Sequence, residues 1–246
     1  MYSSHQSKPS PRPIQRNLLV DGYIAYTLQP PAATIYLSRL LPNSTADRLE
    51  PIFNQRSILI RRTMLYHDFR ETHDSQGLVL LDYLVDPTIG TVVPQKLPSV
   101  ASSGARQMLQ APFFFTQSDG SLGIALSEAL SLDESSPLNQ RGSESNDAVL
   151  VLSWPGYPEY ARTQAGWNTR SGNGANRQLS QRVAYFLASF FENPPAKPGR
   201  NDDETAQWAV GPSWKDHIML VGLLQVSSTP NVWMPIIQLH GLFRTY

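Results

Sequence analysis

The segment 175–192 constrains the fold of this chain more than any other feature of its sequence. Its large apolar side chains recur every three or four residues, the spacing of one helix face: Leu179, Val183, Phe186, Leu187, Phe190 and Phe191. Asn193 and the two prolines that follow it mark the end of the helix. A helix with such a wide apolar face needs a second layer to cover it, so the rest of the chain must supply one.

Apolar segments rich in β-branched residues and bounded by turn residues predict that the second layer is a sheet. Asp119-Gly120 suits a tight turn between 113–115 and 124–126. The other predicted strands are 18–20 with 23–26, 57–69 paired with 78–85, 149–154, 218–226 and 232–239. The predicted class is therefore α+β, an antiparallel or mixed β-sheet with one principal amphipathic helix, at about 175–192, packed on one face.

Residues 1–16 differ in composition from the rest of the chain. They are rich in Pro, Ser and Gln and nearly free of large apolar side chains, which predicts a disordered tail. Residues 17–246 are predicted to form a single globular α+β domain, because a chain of this length can bury a large core. The polar stretch near 131–148 is a possible point of subdivision.

The charges of the chain balance, with 20 Lys and Arg against 20 Asp and Glu. A balanced chain has no long-range field to attract phosphates, which disfavours nucleic acid as a partner. The chain holds no cysteine, which excludes disulfides, thiolate nucleophiles and Cys-ligated zinc. Its N-terminus lacks the apolar region of a secretory signal, and no run reaches the roughly 20 apolar residues of a membrane span. We expect a soluble protein of the cytoplasm or nucleus, without a membrane partner.

Two segments hold residue types that are common in metal and catalytic sites. The run 67–74 contains two histidines and several acids, but in an extended strand the two histidines would lie about 20 Å apart. The segment 211–217 contains Ser, Asp and His, but neighbours in sequence rarely adopt the geometry of a catalytic triad. No metal ion and no cofactor is therefore predicted.

A glycine-containing segment, 171–177, precedes the predicted helix. Glycines before a helix start can expose backbone N–H groups to an anion, and Arg170 and Arg177 would add positive charge. The segment lacks the Lys-Ser/Thr that follows a phosphate-binding P-loop. The alternative is a flexible loop in which Asn176 lies near the helix cap.

Aromatic residues cluster in two loops that contain Pro and Gly. The rings are Trp154, Tyr157, Tyr160 and Trp167 in the first loop, and Trp208 and Trp214 in the second. Trp and Tyr give rigid contact area with a polar group, so such loops can form a binding surface. The alternative is that the rings pack over the core where the loops cross it. The predicted binding residues are Tyr157, Tyr160, Trp167, Arg170, Arg177, Trp208 and Trp214.

The order of several short motifs carries a resemblance to a known family. The motifs are W-P-G-Y at 154–157, R-Q-L at 177–179, W-A-V-G-P at 208–212 and a closing strand that includes Val221 and Trp233. Over about residues 149–239 the chain resembles a large uncharacterised family of proteins from mushroom-forming fungi, the basidiomycetes. The resemblance implies a soluble intracellular fungal protein and brings no activity, cofactor or catalytic residue. The loop 193–206 and the end of the chain from 241 to 246 depart from that pattern.

These observations lead to one principal hypothesis about function and two alternatives. The principal hypothesis is a non-enzymatic intracellular binding or protein-interaction module that recognises a protein or a small molecule by shape. The first alternative is an enzyme with a dispersed site, in which His217 or His240 lies within hydrogen-bond reach of a carboxylate. The second is a structural coat or scaffold subunit. The oligomeric state is left open.

Overall fold

A computed structural model describes the chain over residues 18–41, 58–61, 64–68, 78–99, 108–132, 147–167, 169, 173–196 and 203–241. The predicted tail at 1–16 lies outside the described residues. So does most of the possible subdivision near 131–148, and most of the histidine-containing run 67–74.

The described chain forms short helices, one long helix and ten strands. The helices are α1 (Leu18–Asp21), α2 (Tyr23–Leu28), α3 (Ala32–Leu40), α4 (Leu126–Ser131), α5 (Asn173–Glu192), α6 (Asp203–Ala206) and a 3₁₀ helix (Pro212–His217). The strands are β1 (Ile58–Arg61), β2 (Met64–Asp68), β3 (Leu78–Tyr83), β4 (Gly90–Val92), β5 (Phe113–Phe114), β6 (Ile124–Ala125), β7 (Ala148–Leu152), β8 (Tyr160–Gln164), β9 (Ile218–Ser228) and β10 (Asn231–His240).

The strands form two sheets. β1, β2 and β3 make a 3-stranded antiparallel sheet. The predicted pairing with 78–85 is present between β2 and β3, but 57–69 supplies two strands and not one, because β1 pairs with β2. A 7-stranded sheet has the order β5-β9-β10-β7-β8, with β4 paired to β10 and β6 paired to β9. β10 and β7 run parallel, whereas the other pairs in this sheet are antiparallel, so the sheet is mixed. The predicted α+β class with a mixed sheet is confirmed.

The hairpin of β9 and β10 lies between two apolar layers. Side chains alternate along β10, so Met234 and Ile236 pack in a cluster with α2 and α3, whereas Trp233 and Ile237 pack in a second cluster with α5. Helices therefore cover both faces of this hairpin. This arrangement explains why nearly every residue of both strands is buried.

The predicted strand pair at 18–20 and 23–26 is wrong, because these residues form α1 and α2. Ile24 and Leu28 are buried and four residues apart, which places both on one helix face against the first cluster. In a run this short, the apolar residues fit both the 3.6-residue repeat of a helix and the two-residue repeat of a strand. Packing against the sheet then decides which of the two forms.

The turn predicted at Asp119-Gly120 is present. Gly120 has a φ of 83°, which is the left-handed region that favours glycine. Thr116 and Leu122 pair across the turn, and the Gly123 N–H donates to the Phe115 carbonyl at 2.8 Å. Ile124 and Ala125 then join the edge of β9 as β6, while the next residues turn into α4.

In the part of the chain that the structure describes, no helix combines the length and the apolar character that a membrane crossing requires.

Candidate functional site

Trp154 is the centre of the aromatic residues that the sequence singled out. Its indole Nε1 donates to the Trp208 carbonyl at 2.8 Å, and the rings of Trp208 and Trp214 meet it edge-on at 6.2 Å and 5.2 Å. Trp154, Trp208 and Trp214 are only 1%, 7% and 5% exposed. The two loops therefore converge inside the second apolar cluster. This corrects the expectation of an exposed surface at Trp208 and Trp214, because their rings face the core.

Tyr157 and Tyr160 lie at the margin of the same cluster and are partly buried. The Tyr157 hydroxyl accepts a hydrogen bond from the Val210 N–H at 3.0 Å, and its ring meets the Phe190 ring at 5.7 Å. The Tyr160 ring lies 5.2 Å from Phe186. Both tyrosines thus connect their loop to α5 and its neighbours, which gives the W-P-G-Y motif a role in folding.

The remaining predicted aromatic, Trp167, is 3% exposed, and its ring packs at 6.0 Å from Trp233. The loop before it is held by Arg182 on α5, whose Nη1 donates to the carbonyls of Ala165 and Gly166. The ring of Trp167 is therefore part of the core, which corrects its assignment to an exposed surface. Arg170 lies outside the described residues.

Arg177 lines a cleft at the start of α5. The cleft has a volume of about 520 Å³, within the usual range for small-molecule sites. Its lining residues come from the turn before Gly120, from β6 and α4, and from α5: Thr116, Gln117, Ser118, Ile124, Glu128, Leu132, Asn176 and Arg177. Of the predicted binding residues within the described chain, Arg177 alone belongs to this lining.

Side-chain amides fix the walls of the cleft to one another. Asn176 Nδ2 donates to the Thr116 carbonyl at 2.9 Å, which attaches the turn to α5. Gln181 Nε2 donates to the Leu132 carbonyl at 2.5 Å, which attaches the end of α4 to the same helix. Gln117 Nε2 donates to the Gly123 carbonyl at 2.9 Å. The cleft is thus formed by three elements held in place without a ligand.

Several polar groups at the cleft have no partner within the described chain. The Oδ1 atom of Asn176 is buried and accepts no hydrogen bond from any described group. Glu128 and Arg177 are exposed, and no ion pair within 4 Å joins either of them to a charged group of the described residues. The cleft therefore presents a carboxylate and a guanidinium to an incoming molecule, whereas the Asn176 Oδ1 atom lies beneath its surface.

The described histidines that the enzyme hypothesis named lie away from this cleft. The Nδ1 atom of His217 is 3.1 Å from the His240 carbonyl oxygen, and burial lowers the pKa of His240 below its usual value. His217 belongs to the 3₁₀ helix that also contains Ser213 and Asp216. Within the described residues, no group of three or more His, Asp or Glu side chains is arranged to hold a metal ion.

A buried acid, Asp82, lies on the opposite side of the large sheet, against α2. It is fully buried and accepts hydrogen bonds from the Ile24 N–H at 3.0 Å and the Tyr83 N–H at 2.7 Å. Burial raises the pKa of Asp82 to about 8, although these N–H groups act in the opposite direction. Its sequence neighbour Leu81 and its partner residue Ile24 both belong to the first apolar cluster, so Asp82 acts on α2 and not on the cleft.

Most of the cleft residues were not identified from the sequence. Glu128 belongs to α4, a helix of six residues in a region where the sequence predicted only a strand at 124–126. The sequence places Asn176 in the segment 171–177, with an anion site and a loop near the helix cap as the two alternatives. The glycines before α5, together with Arg177, are the sequence signal that points to this end of the helix.

Comparisons of the chain with protein-family models, with curated proteins and with solved structures give no match in any of the three. The resemblance to a basidiomycete family over residues 149–239 stays a prediction.

Proposed function

We propose that the protein is a non-enzymatic binding module that holds a small polar molecule in the cleft at the start of α5. One observation carries the proposal: the cleft presents a cation, Arg177, and an anion, Glu128, that no described residue neutralises. Hydrogen bonds to charged groups are stronger than those between neutral groups, so a polar molecule gains affinity from both.

The form of the cleft fits this role. Six of its eight lining residues are polar and two, Ile124 and Leu132, are apolar, so the cleft is more polar than most small-molecule sites and suits a polar ligand. Thr116 and Leu132 are each tied to α5 by a side-chain amide. A site whose walls are already ordered loses little conformational entropy when a ligand binds, and this favours affinity.

The aromatic loops pack on the helix that carries part of the cleft. Tyr157 and Tyr160 contact Phe190 and Phe186 of α5, about two and a half to four turns beyond Asn176 and Arg177. We therefore assign the aromatic loops to the scaffold that holds α5 in position, with the ligand contacts made at the start of that helix.

We also propose an intracellular setting and membership of the basidiomycete family. The support is the order of the motifs across 149–239. The contacts of Trp154 with Trp208, and of Tyr157 with Val210, give a physical reason for residues of these motifs to occur together. The absence of Cys from the chain is compatible with this setting.

Nuclear magnetic resonance mapping tests the proposed function. Backbone amide shifts would be recorded with four solutes added separately: L-leucine, D-glucose, citrate and inorganic phosphate. We expect at least one solute to shift amides in 116–118, 126–132 and 176–177 in a saturable manner, while those of β1 to β3 stay unchanged. Substitution of Arg177 by Gln should weaken the response, whereas Arg162→Gln, on the exposed strand β8, should not. Failure of all four solutes to shift the cleft amides would overturn the proposal.

A further inference from the structure

Glu128 gives the cleft an open acceptor. The amide nitrogens of Gln117 and Asn176 already donate to carbonyls of the fold. The exposed carboxylate of Glu128 has no ion pair within the described residues. It calls for a ligand with N–H or O–H donors, and its negative charge favours a cation.

The surroundings of Arg177 favour an anion instead. Arg177 is the fifth residue of α5, close to the helix end where the backbone dipole is positive, and the first turn holds no acid. A cation at this end opposes the dipole of its own helix, so its presence is not explained by helix stability. An anionic group bound here gains from both the guanidinium and the helix end.

We propose that the ligand of this cleft is a zwitterionic α-amino acid, an inference that rests on the proposed function and names its ligand class. Its carboxylate pairs with Arg177, and its ammonium group donates to Glu128. An aliphatic side chain lies against Ile124 and Leu132. One molecule of this kind matches both charges of the cleft together.

Molecules with a single charge match the cleft less well. Inorganic phosphate pairs with Arg177 but is repelled by Glu128. A simple amine pairs with Glu128 but is repelled by Arg177. An uncharged sugar leaves both charges without a partner of opposite charge. The two charged residues come from different helices, α4 and α5, and both line the cleft.

Isothermal titration calorimetry with three related probes tests the inference on the full chain. The probes are L-leucine, N-acetyl-L-leucine, which lacks the ammonium charge, and L-leucinamide, which lacks the carboxylate. We expect L-leucine to bind at least about tenfold more tightly than either derivative, the effect of one lost charge-assisted contact. Equal binding of either derivative, or no binding of L-leucine, would overturn the inference.

Variants assign each end of the ligand to its residue. Glu128→Gln should weaken L-leucine about tenfold and leave N-acetyl-L-leucine unchanged, because that probe has no ammonium group. Arg177→Gln should weaken L-leucine and leave L-leucinamide unchanged. The matched controls are Glu159→Gln and Arg162→Gln, which change exposed residues outside the cleft lining. An equal effect of a variant and its control would contradict the assignment.

The two proposals fail in different ways. If L-leucine does not bind but D-glucose, citrate or phosphate shifts the cleft amides, the amino-acid inference is wrong and the proposed function stands. If none of these solutes acts on the cleft, both are wrong.

Discussion

Asp82 supplies the N-terminal cap that α2 lacks in its own sequence. The residue before α2 is Gly22, which has no side chain to accept a hydrogen bond. The carboxylate of Asp82, on β3, accepts a hydrogen bond from the Ile24 N–H in the first turn of α2. The hydroxyl of Tyr36, a second fully buried polar group, has no hydrogen-bond partner in the described chain. A single side chain thus joins the 3-stranded sheet to the helical layer.

The raised pKa of Asp82 makes the stability of the protein depend on pH. Between the usual value of 3.8 and about 8, the folded state holds a proton that the unfolded state releases. This contribution to stability is fully present below pH 4 and is lost as pH rises to about 8, with a slope of at most about 1.4 kcal/mol per pH unit. Urea unfolding of wild type and Asp82→Asn at pH 5 and pH 7.5 measures it.

Asn cannot ionise, so Asp82→Asn lacks this pH dependence. Between pH 5 and pH 7.5 the free energy of unfolding of wild type should therefore fall relative to that of Asp82→Asn. Asp216→Asn, at an exposed position, serves as the control and should follow the wild-type pH dependence. A difference between wild type and Asp82→Asn that is the same at both pH values would contradict the assignment.

At the level of elements, α5 is the best example of what local sequence determines. The predicted range 175–192 agrees with the observed Asn173–Glu192, because apolar residues at helical spacing and a following Asn-Pro-Pro define both a face and an end. The aromatic loops are the opposite case. Composition predicted that Trp208 and Trp214 are large contact residues, but it could not say whether they contact a partner or the core, because that depends on distant chain packing over them.

The secondary structure of the shortest elements also cannot be predicted from local sequence. α2 and α4 have six residues each, fewer than two full turns, so their periodicity does not separate helix from strand. The cleft could not be predicted for the same reason. Glu128 and Leu132 line it because α4 and the residue after it pack against α5. Arg177 was predicted as a binding residue because the approach to α5 was visible in the sequence.

The loop 203–217 depends on Trp154 for its position. Trp154→Phe removes the donor to the Trp208 carbonyl and part of a ring that contacts Trp214 and Phe191. We expect a loss of about 2–4 kcal/mol in the free energy of unfolding, from a cavity and an unpaired buried carbonyl. Urea unfolding measures this loss. Amide hydrogen exchange should show faster exchange in 208–214.

Tyr185→Phe is a suitable control, because Tyr185 is on α5 but 48% exposed. It should change stability by no more than about 0.5 kcal/mol. A similar loss of stability in both variants would contradict the prediction that the contacts of Trp154 hold the loop 203–217 in position.

At the scale of the whole molecule, the β9–β10 hairpin joins the two apolar clusters. Val226 and Met234 belong to the cluster with α2 and α3, and Leu223 and Ile237 belong to the cluster with α5. All five tryptophans of the chain lie in the second cluster, so tryptophan fluorescence reports on that side alone. A change made in the first cluster can therefore be tested for its effect on the unfolding of the second, which tryptophan fluorescence follows.

Leu37→Ala tests whether the molecule unfolds as one unit, as the predicted single domain 17–246 requires. Leu37 is fully buried in the first cluster, so its truncation should cost about 2–5 kcal/mol. We expect tryptophan fluorescence and far-ultraviolet circular dichroism to give the same lowered midpoint. Val20→Ala, at a 62% exposed position on α1, is the control and should leave the midpoint nearly unchanged. A tryptophan transition that stays at the wild-type midpoint would show that the two sides unfold separately.

The position of the shared hairpin along the chain has a consequence for synthesis. A ribosome adding about 5–20 residues per second needs roughly 9–36 seconds to proceed from the end of α3 at Leu40 to the start of β9 at Ile218. During that interval the apolar faces of α2, α3 and α5 have been made, but the strands that cover them have not. The strands of the hairpin cover these faces only after residue 240 has emerged from the ribosome. Slower elongation therefore lengthens the time for which the two apolar faces are open to aggregation.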